Sequence, residues 1–197
     1  MRKLLLTGFE PFGGEPINPA VEAVRRLQGR GVGPFEVVGL ELPTVFGQSV
    51  ERLLSCIKET EPEVVIALGQ AGGRKGISFE RIAVNLSDAA IADNAGYRPV
   101  DVPVVPEGPA AYWTTLPVKR MAERLQEKGI PASLSLSAGT FVCNHVFLRA
   151  DAPPRCQRQA DPGRVHPCPL PAGTGGAASR RPEHGAGAAH HRFGAGD

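Results

Sequence analysis

A change of character near residue 148 sets the limits on how this chain can fold. Up to that point apolar runs alternate with amphipathic stretches, and across residues 1 to 150 the charges balance, 16 Lys plus Arg against 16 Asp plus Glu. Residues 151 to 197 hold eight Gly and seven Pro, with Val165, Leu170 and Phe193 as their only large apolar or aromatic side chains. Such a segment cannot bury enough surface to offset the entropy of ordering it. The expectation is one folded α/β domain over residues 1–147 and a tail over 148–197 that is either disordered or read out of frame. At 197 residues the chain has room for a single compact domain.

The first part divides into elements. Lys3 to Thr7 is a short apolar run ending in the Gly-rich turn Gly8 to Gly14, and Asn18-Pro19 opens an amphipathic helix through Val21, Val24 and Leu27. Phe35 to Leu42 is β-rich, Gln48 to Lys58 has helical spacing, and Glu63 to Leu68 is an apolar strand stopping at Gly69. Ile77 to Leu86 alternates like one strand with a polar face, Thr115 to Lys128 has helical spacing, and Ala132 to Ser137 is a further strand. Strands alternating with helices predict an α/β fold with a mainly parallel sheet covered on both faces. In such sheets sites collect at the carboxyl ends of the strands.

Composition excludes several partners. A formal charge of +2 gives no reason to expect nucleic acid or acidic membranes. No uninterrupted apolar run approaches the ~20 residues of a membrane span, so a cytoplasmic location is expected. Cys56, Cys143, Cys156 and Cys168 lack the paired spacing of a zinc site, and free thiols with no bound metal are expected.

Three loops at strand ends could carry chemistry. The first, Gly8 to Gly14, lacks the Lys-Ser/Thr of a P-loop. Its Phe9 and Phe12 read either as a hydrophobic staple under the following helix or as apolar walls for a small flat ligand. The second, Gly69 to Arg74, offers the Gln70 amide at a strand end and leads to Glu80, a carboxylate inside an apolar strand that needs a partner. That partner is an arginine in a salt bridge or a histidine that the carboxylate orients. The third holds Cys143, where a strand gives way to a helix through His145 and Phe147. A helix amino terminus lowers a thiol pKa and supplies N–H groups for an oxyanion, whereas the structural alternative is a small buried hydrophobe. His145, two residues on, points elsewhere on a helix, and Cys56 in an amphipathic helix reads as packing.

Taken together, GFEPFGG, the NP after Ile17, LGQAGGR, FERIAVNLSDA, ADNAG and AGTFVCNH resemble the pyrrolidone-carboxylate peptidases, also called pyroglutamyl peptidase I, from Met1 to Phe147 and in the family's order. The resemblance implies a three-layer α/β/α sandwich, assembled as a homotetramer, that removes amino-terminal 5-oxoproline from peptides without metal or organic cofactor. It implies Cys143 as nucleophile and Glu80 as the carboxylate of a Cys-His-Glu triad acting through a thioester. Phe9, Phe12 and Phe141 become walls for the neutral lactam, with Asn18 fixing a loop and Gln70 near the reacting carbonyl. One departure is Ala90, where some relatives carry an Arg shortly before the DN pair.

The family's histidine lies in a GFIHxPxLPEQ-like segment that the tail lacks. His166, within Arg164-Val165-His166-Pro167-Cys168, is the nearest substitute. With third bases chosen freely, the codons for Leu148 to Pro154 read one nucleotide later can spell Tyr-Gly-Leu-Met-His-His-Leu. The same offset from Arg164 to Thr174 can spell the missing motif. A frameshift near Leu148 is therefore expected, with a final helix and strand lost and apolar surface left uncovered. There are two alternatives to an active peptidase: an inactive frameshifted product, or a non-catalytic small-molecule or anion binder on the same loops.

Overall fold

A computed structural model describes residues 1–151, which form eight strands and four helices. The central sheet is built from β1 (Arg2–Phe9), β2 (Gly31–Val32), β3 (Phe35–Leu42) and β4 (Val64–Ala67) in the order β2-β3-β1-β4. β1 runs parallel to both β3 and β4, while β2 closes an antiparallel edge on β3. Parallel strands need crossovers, and the chain supplies them as α1 (Pro19–Leu27) between β1 and β3 and α2 (Gln48–Thr60) between β3 and β4.

Side-chain alternation on β1 sorts the two faces. Leu6 packs with Val24 of α1 and Val37 of β3. Its neighbour Leu5 faces the other way, with Phe9, Leu42, Val50 and Leu53 of α2, and Val142 and Val146 of α4 (Val142–Asp151). Helices thus cover both faces of a mainly parallel sheet, the three-layer arrangement the sequence predicts. Each such fully buried side chain contributes about 1.5–3 kcal/mol. The α1 layer sits close because β1 and β3 present glycine to it. A β-carbon on Gly8 would lie 2.8 Å from the Ala20 backbone, and one on Gly39 would lie 2.8 Å from the Val24 side chain.

Local chemistry explains the boundaries. α1 starts where expected because Asn18 caps it, accepting from the Ala20 amide at 3.0 Å, with Pro19 in the first turn. α3 (Val118–Gln126) is shorter than the periodicity suggests, since Pro117 bars helical geometry in the residue before it. β8 (Ala132–Ser135) stops two residues early because the Ser135 hydroxyl donates to the Ser137 carbonyl and the Ser137 hydroxyl accepts from the Gly139 amide.

The expected single strand from Ile77 to Leu86 is two strands. β5 (Ile77–Glu80) pairs in parallel with β8, whereas β6 (Ile82–Val84) pairs antiparallel with β7 (Ala111–Trp113). Arg81 is the switch: its amide donates to the Ser135 carbonyl at 2.8 Å and its carbonyl accepts from the Thr114 amide at 2.9 Å. A period of two survives such a change of partner, so alternation alone cannot reveal it. The switch leaves Glu80 as the last residue of β5, at the carboxyl end, opposite Ser135.

Candidate active site

The carboxyl ends of β1, β3, β4, β5 and β8 lead into the loops that carry the candidate residues, where ligands collect in open parallel sheets. Cys143 is the second residue of α4 and is partly buried against the larger core cluster. Its sulfur rests on the loop after β4, for a β-carbon on Gly69 would lie 3.1 Å from Sγ. Burial pushes the Cys143 thiol up to about 11, the Glu80 charge pushes in the same direction, and a backbone hydrogen bond opposes them. A helix amino terminus alone would lower this thiol; loss of water outweighs it.

Glu80 has two unlike oxygens. Oε1 accepts from Arg74 Nη1 at 2.7 Å, whereas Oε2 is buried with no hydrogen-bond partner among the described residues. The two sequence readings of this carboxylate therefore do not compete: an arginine holds one oxygen and the other is open to a donor.

α4 is clamped in place by a residue that no sequence pattern singles out. Asn144, fully buried, accepts from the Val84 amide at 2.9 Å and donates to the Val84 and Leu86 carbonyls at 2.8 and 3.1 Å. These bonds fasten the first turn of α4, and with it Cys143, to β6. His145 turns away, its Nδ1 3.2 Å from the Ser87 hydroxyl and its ring edge-on to Phe46. Burial, aided by the Arg149 charge, holds its imidazole down at about 4, so it stays neutral at physiological pH.

An aromatic group gathers around Phe141, two residues before the cysteine. Phe12 and Phe141 lie 5.8 Å apart, and Phe46 meets Phe141 edge-on at 5.5 Å and Tyr97 at 5.9 Å. Phe46 is inconspicuous in the sequence because a lone aromatic after a strand carries no pattern. Phe9 is only 1% exposed and packs in the core under α2 and α4, not under α1 as a staple would. Gln70 is partly buried one residue beyond Gly69.

The DN pair ties the loops together. Asp93 accepts from the amides of Phe46, Ala95 and Tyr97. Asn94 donates to the Glu10 carboxylate at 2.8 Å and to the Pro11 carbonyl at 2.9 Å, and the same Glu10 oxygen accepts from the Thr44 amide. Asn18 adds a bond from its side-chain amide to the Glu10 carbonyl at 3.3 Å. GFEPFGG and ADNAG, some eighty residues apart, are halves of one polar network. Among the described residues no three His, Cys, Asp or Glu side chains converge as a metal site. His166 lies outside the described residues.

The family model described as pyroglutamyl peptidase matches residues 2–171. The chain belongs to the pyroglutamyl peptidase family. This is a family of cysteine hydrolases, and its likeness to the chain extends through sequence and structure. The pyrrolidone-carboxylate peptidases of Bacillus cereus (strain 03BB102) and Bacillus thuringiensis (strain Al Hakam) are each 56% identical over 147 residues, covering 75% of this chain and 68% of theirs. The crystal structure of Bacillus amyloliquefaciens pyroglutamyl peptidase I superposes with a TM-score of 0.76 at 48% identity, over 81% of this chain and 76% of that one. Pyrrolidone carboxyl peptidase from the hyperthermophile Pyrococcus furiosus gives 0.73 at 48% identity, over 75% and 71%.

Proposed function

We propose that this protein removes amino-terminal pyroglutamate from peptides, with Cys143 as nucleophile and Glu80 as its companion carboxylate. The observation that carries this reading is the buried Oε2 of Glu80, without a partner among the described residues, on a carboxylate whose charge acts on the Cys143 thiol. A buried acceptor left open calls for an N–H donor. A histidine imidazole between the two groups satisfies the carboxylate with one nitrogen and takes the thiol proton with the other. Without such a base a thiol near 11 stays protonated at neutral pH, so the imidazole is what makes the sulfur reactive.

The reaction then proceeds in two halves. The Cys143 proton passes to the imidazole as Sγ attacks the pyroglutamyl carbonyl carbon. The carbon–nitrogen bond breaks, the imidazolium returns its proton to the departing amine, and a thioester remains. Water attacks that thioester, giving a proton to the imidazole; the thiolate leaves, is reprotonated, and free pyroglutamate departs. Phe12, Phe46 and Phe141 would wall the flat neutral lactam, with Phe9 packed behind them, Gln70 beside the carbonyl and Asn18 holding the first loop. His166 is the written chain's candidate for the imidazole.

A second reading has its own support. The relatives match this chain over 147 residues, and residues 148–197 have the composition of an out-of-frame tail. Residues 1–147 are then the family domain, and residues 148–197 the product of a frameshift that leaves Cys143 without its base. The family resemblance also carries a homotetramer and a cytoplasmic location as parts of this proposal. No described helix is long and apolar enough to cross a membrane.

Intact mass of the native protein and turnover of a pyroglutamyl arylamide decide between the readings. A chain of 20.8 kDa that hydrolyses the substrate, and loses turnover in both Cys143→Ser and His166→Ala, supports the triad with His166 as its base. A different mass with full activity restores the family's own histidine. A 20.8 kDa chain without turnover makes the written sequence an inactive product.

A further inference from the structure

We propose that Arg74 is a positioning residue for this reaction: by holding Oε1 of Glu80 it keeps Oε2 turned inward, and its positive charge offsets the carboxylate's field at Cys143. The inference rests on the reading of Cys143 and Glu80 as nucleophile and companion carboxylate. Three observations join at the loop after β4. Gly69, at its start, lies against the Cys143 sulfur. Arg74, five residues on, meets Glu80 at 2.7 Å. Glu80, at the end of β5, leaves its second oxygen buried and open. One short loop thus touches the nucleophile at one end and orients the carboxylate at the other. The loop can turn back to do so because Gly73 adopts a φ of +79°, a left-handed conformation that costs glycine little. The Arg74 amide donates to the Ala71 carbonyl at 3.4 Å across that turn.

The pairing is asymmetric in a useful way. A carboxylate with one oxygen occupied by a guanidinium cannot rotate freely, so the remaining oxygen has a fixed direction. Glu80 is 23% exposed and Arg74 40%, so the pair is partly screened by water and its worth as a stability element is small. Its charge balance matters more. The Glu80 charge raises the Cys143 thiol, and Arg74 is the ion-pair partner of that carboxylate. On α4 itself, His145 is neutral and bonded to Ser87, and Arg149 acts on His145.

The test is the rate at which iodoacetamide labels Cys143 between pH 8.5 and 10, followed by mass spectrometry of the peptide that carries it. Unmasking the carboxylate in Arg74→Gln should slow Cys143 labelling about threefold, a modest effect in keeping with a half-screened pair. Arg74→Lys should restore most of the rate, Glu80→Gln should raise it, and Arg74→Gln should add nothing once Glu80→Gln is present. No slowing in Arg74→Gln, or the same slowing with and without the Glu80 carboxylate, overturns the proposal. Cys56, packed against the core, is the internal control for folding. Should its labelling rise in Arg74→Gln, Arg74→Met takes that variant's place with the same expected slowing and the same overturning results. Peptide hydrolysis is measured separately, so a failure of the pyroglutamyl reading appears there without touching the coupling between Arg74 and Glu80.

Discussion

Gly69 and Cys143 are in contact through the space a side chain would take: a β-carbon on Gly69 would stand 3.1 Å from the cysteine sulfur. The glycine is needed for that room and not for its backbone freedom. Gly69→Ala should therefore leave stability within about 1 kcal/mol of the parent, since one methyl at a loop displaces one side chain by a few tenths of an ångström. Turnover should fall about tenfold or more, because a small misplacement of the proposed nucleophile is costly. Steady-state kinetics with a urea melt checks both, and unchanged kcat would show that the sulfur position is not critical.

Asn144 should be among the costliest polar residues to remove. Its side chain satisfies one amide and two carbonyls of the β6 region, and Asn144→Ala would strand all three. Each buried group left unpaired costs about 1–3 kcal/mol, so a loss of about 3 kcal/mol or more in urea unfolding is expected. Asn144→Asp keeps the acceptor for the Val84 amide but loses both donors, and should recover little.

Acid should expose His145. Its folded pKa of about 4 lies below the usual 6.5, so the unfolded chain binds the proton first. The stability this residue contributes is present above pH 6.5 and is lost as pH falls through 4, by about 3 kcal/mol at most. His145→Gln should flatten that part of the stability curve, measured by urea unfolding from pH 7 to 4. An unchanged slope would mean that the imidazole is hydrated in the folded protein.

Cys143 acts at the other end of the scale. With the thiol raised to about 11 in the fold and nearer 8.5–9 in the unfolded chain, the folded state keeps its proton longer. Stability should fall as pH rises from about 9 to 11, by about 2–3 kcal/mol, and Cys143→Ala should remove that decline. If a base from the tail pairs with the thiol, alkylation near neutral pH will be fast instead, which separates the paired thiol from the unpaired one.

Asp93 organises the site without touching the sulfur. Asp93→Ala removes the acceptor of three amides, including that of Phe46, whose ring stands against Phe141. The expected result is a higher KM, about tenfold, with a smaller change in kcat, since the aromatic walls proposed for the lactam lose their placement while Cys143 keeps its helix. An equal loss in both constants would mean that the loop also aligns the thiol.

Much of this was legible in the chain. Phe35–Leu42 and the starts of α1 and α2 follow from local signals: alternation, an Asn-Pro cap, and amphipathic spacing. The position of Cys143 at a helix start follows from the same rules, as does an unusual carboxylate at Glu80. What stayed hidden are relations across long stretches of sequence. Arg81 divides one alternating run between two sheets, Asn144 reaches back 60 residues to Val84, and Asn94 reaches 84 residues to Glu10.

Sequence by itself determined the α/β class and the family, and singled out the residues proposed for thiol chemistry, because those rest on near-neighbour patterns and specific motifs. Tertiary structure alone decided that Phe9 belongs to the core, that Gly69 makes room for the sulfur, and that Glu80 is held on one side and open on the other. The reason is physical. Periodicity says which way a side chain points from its own element, whereas contact and burial depend on what the rest of the fold brings to meet it.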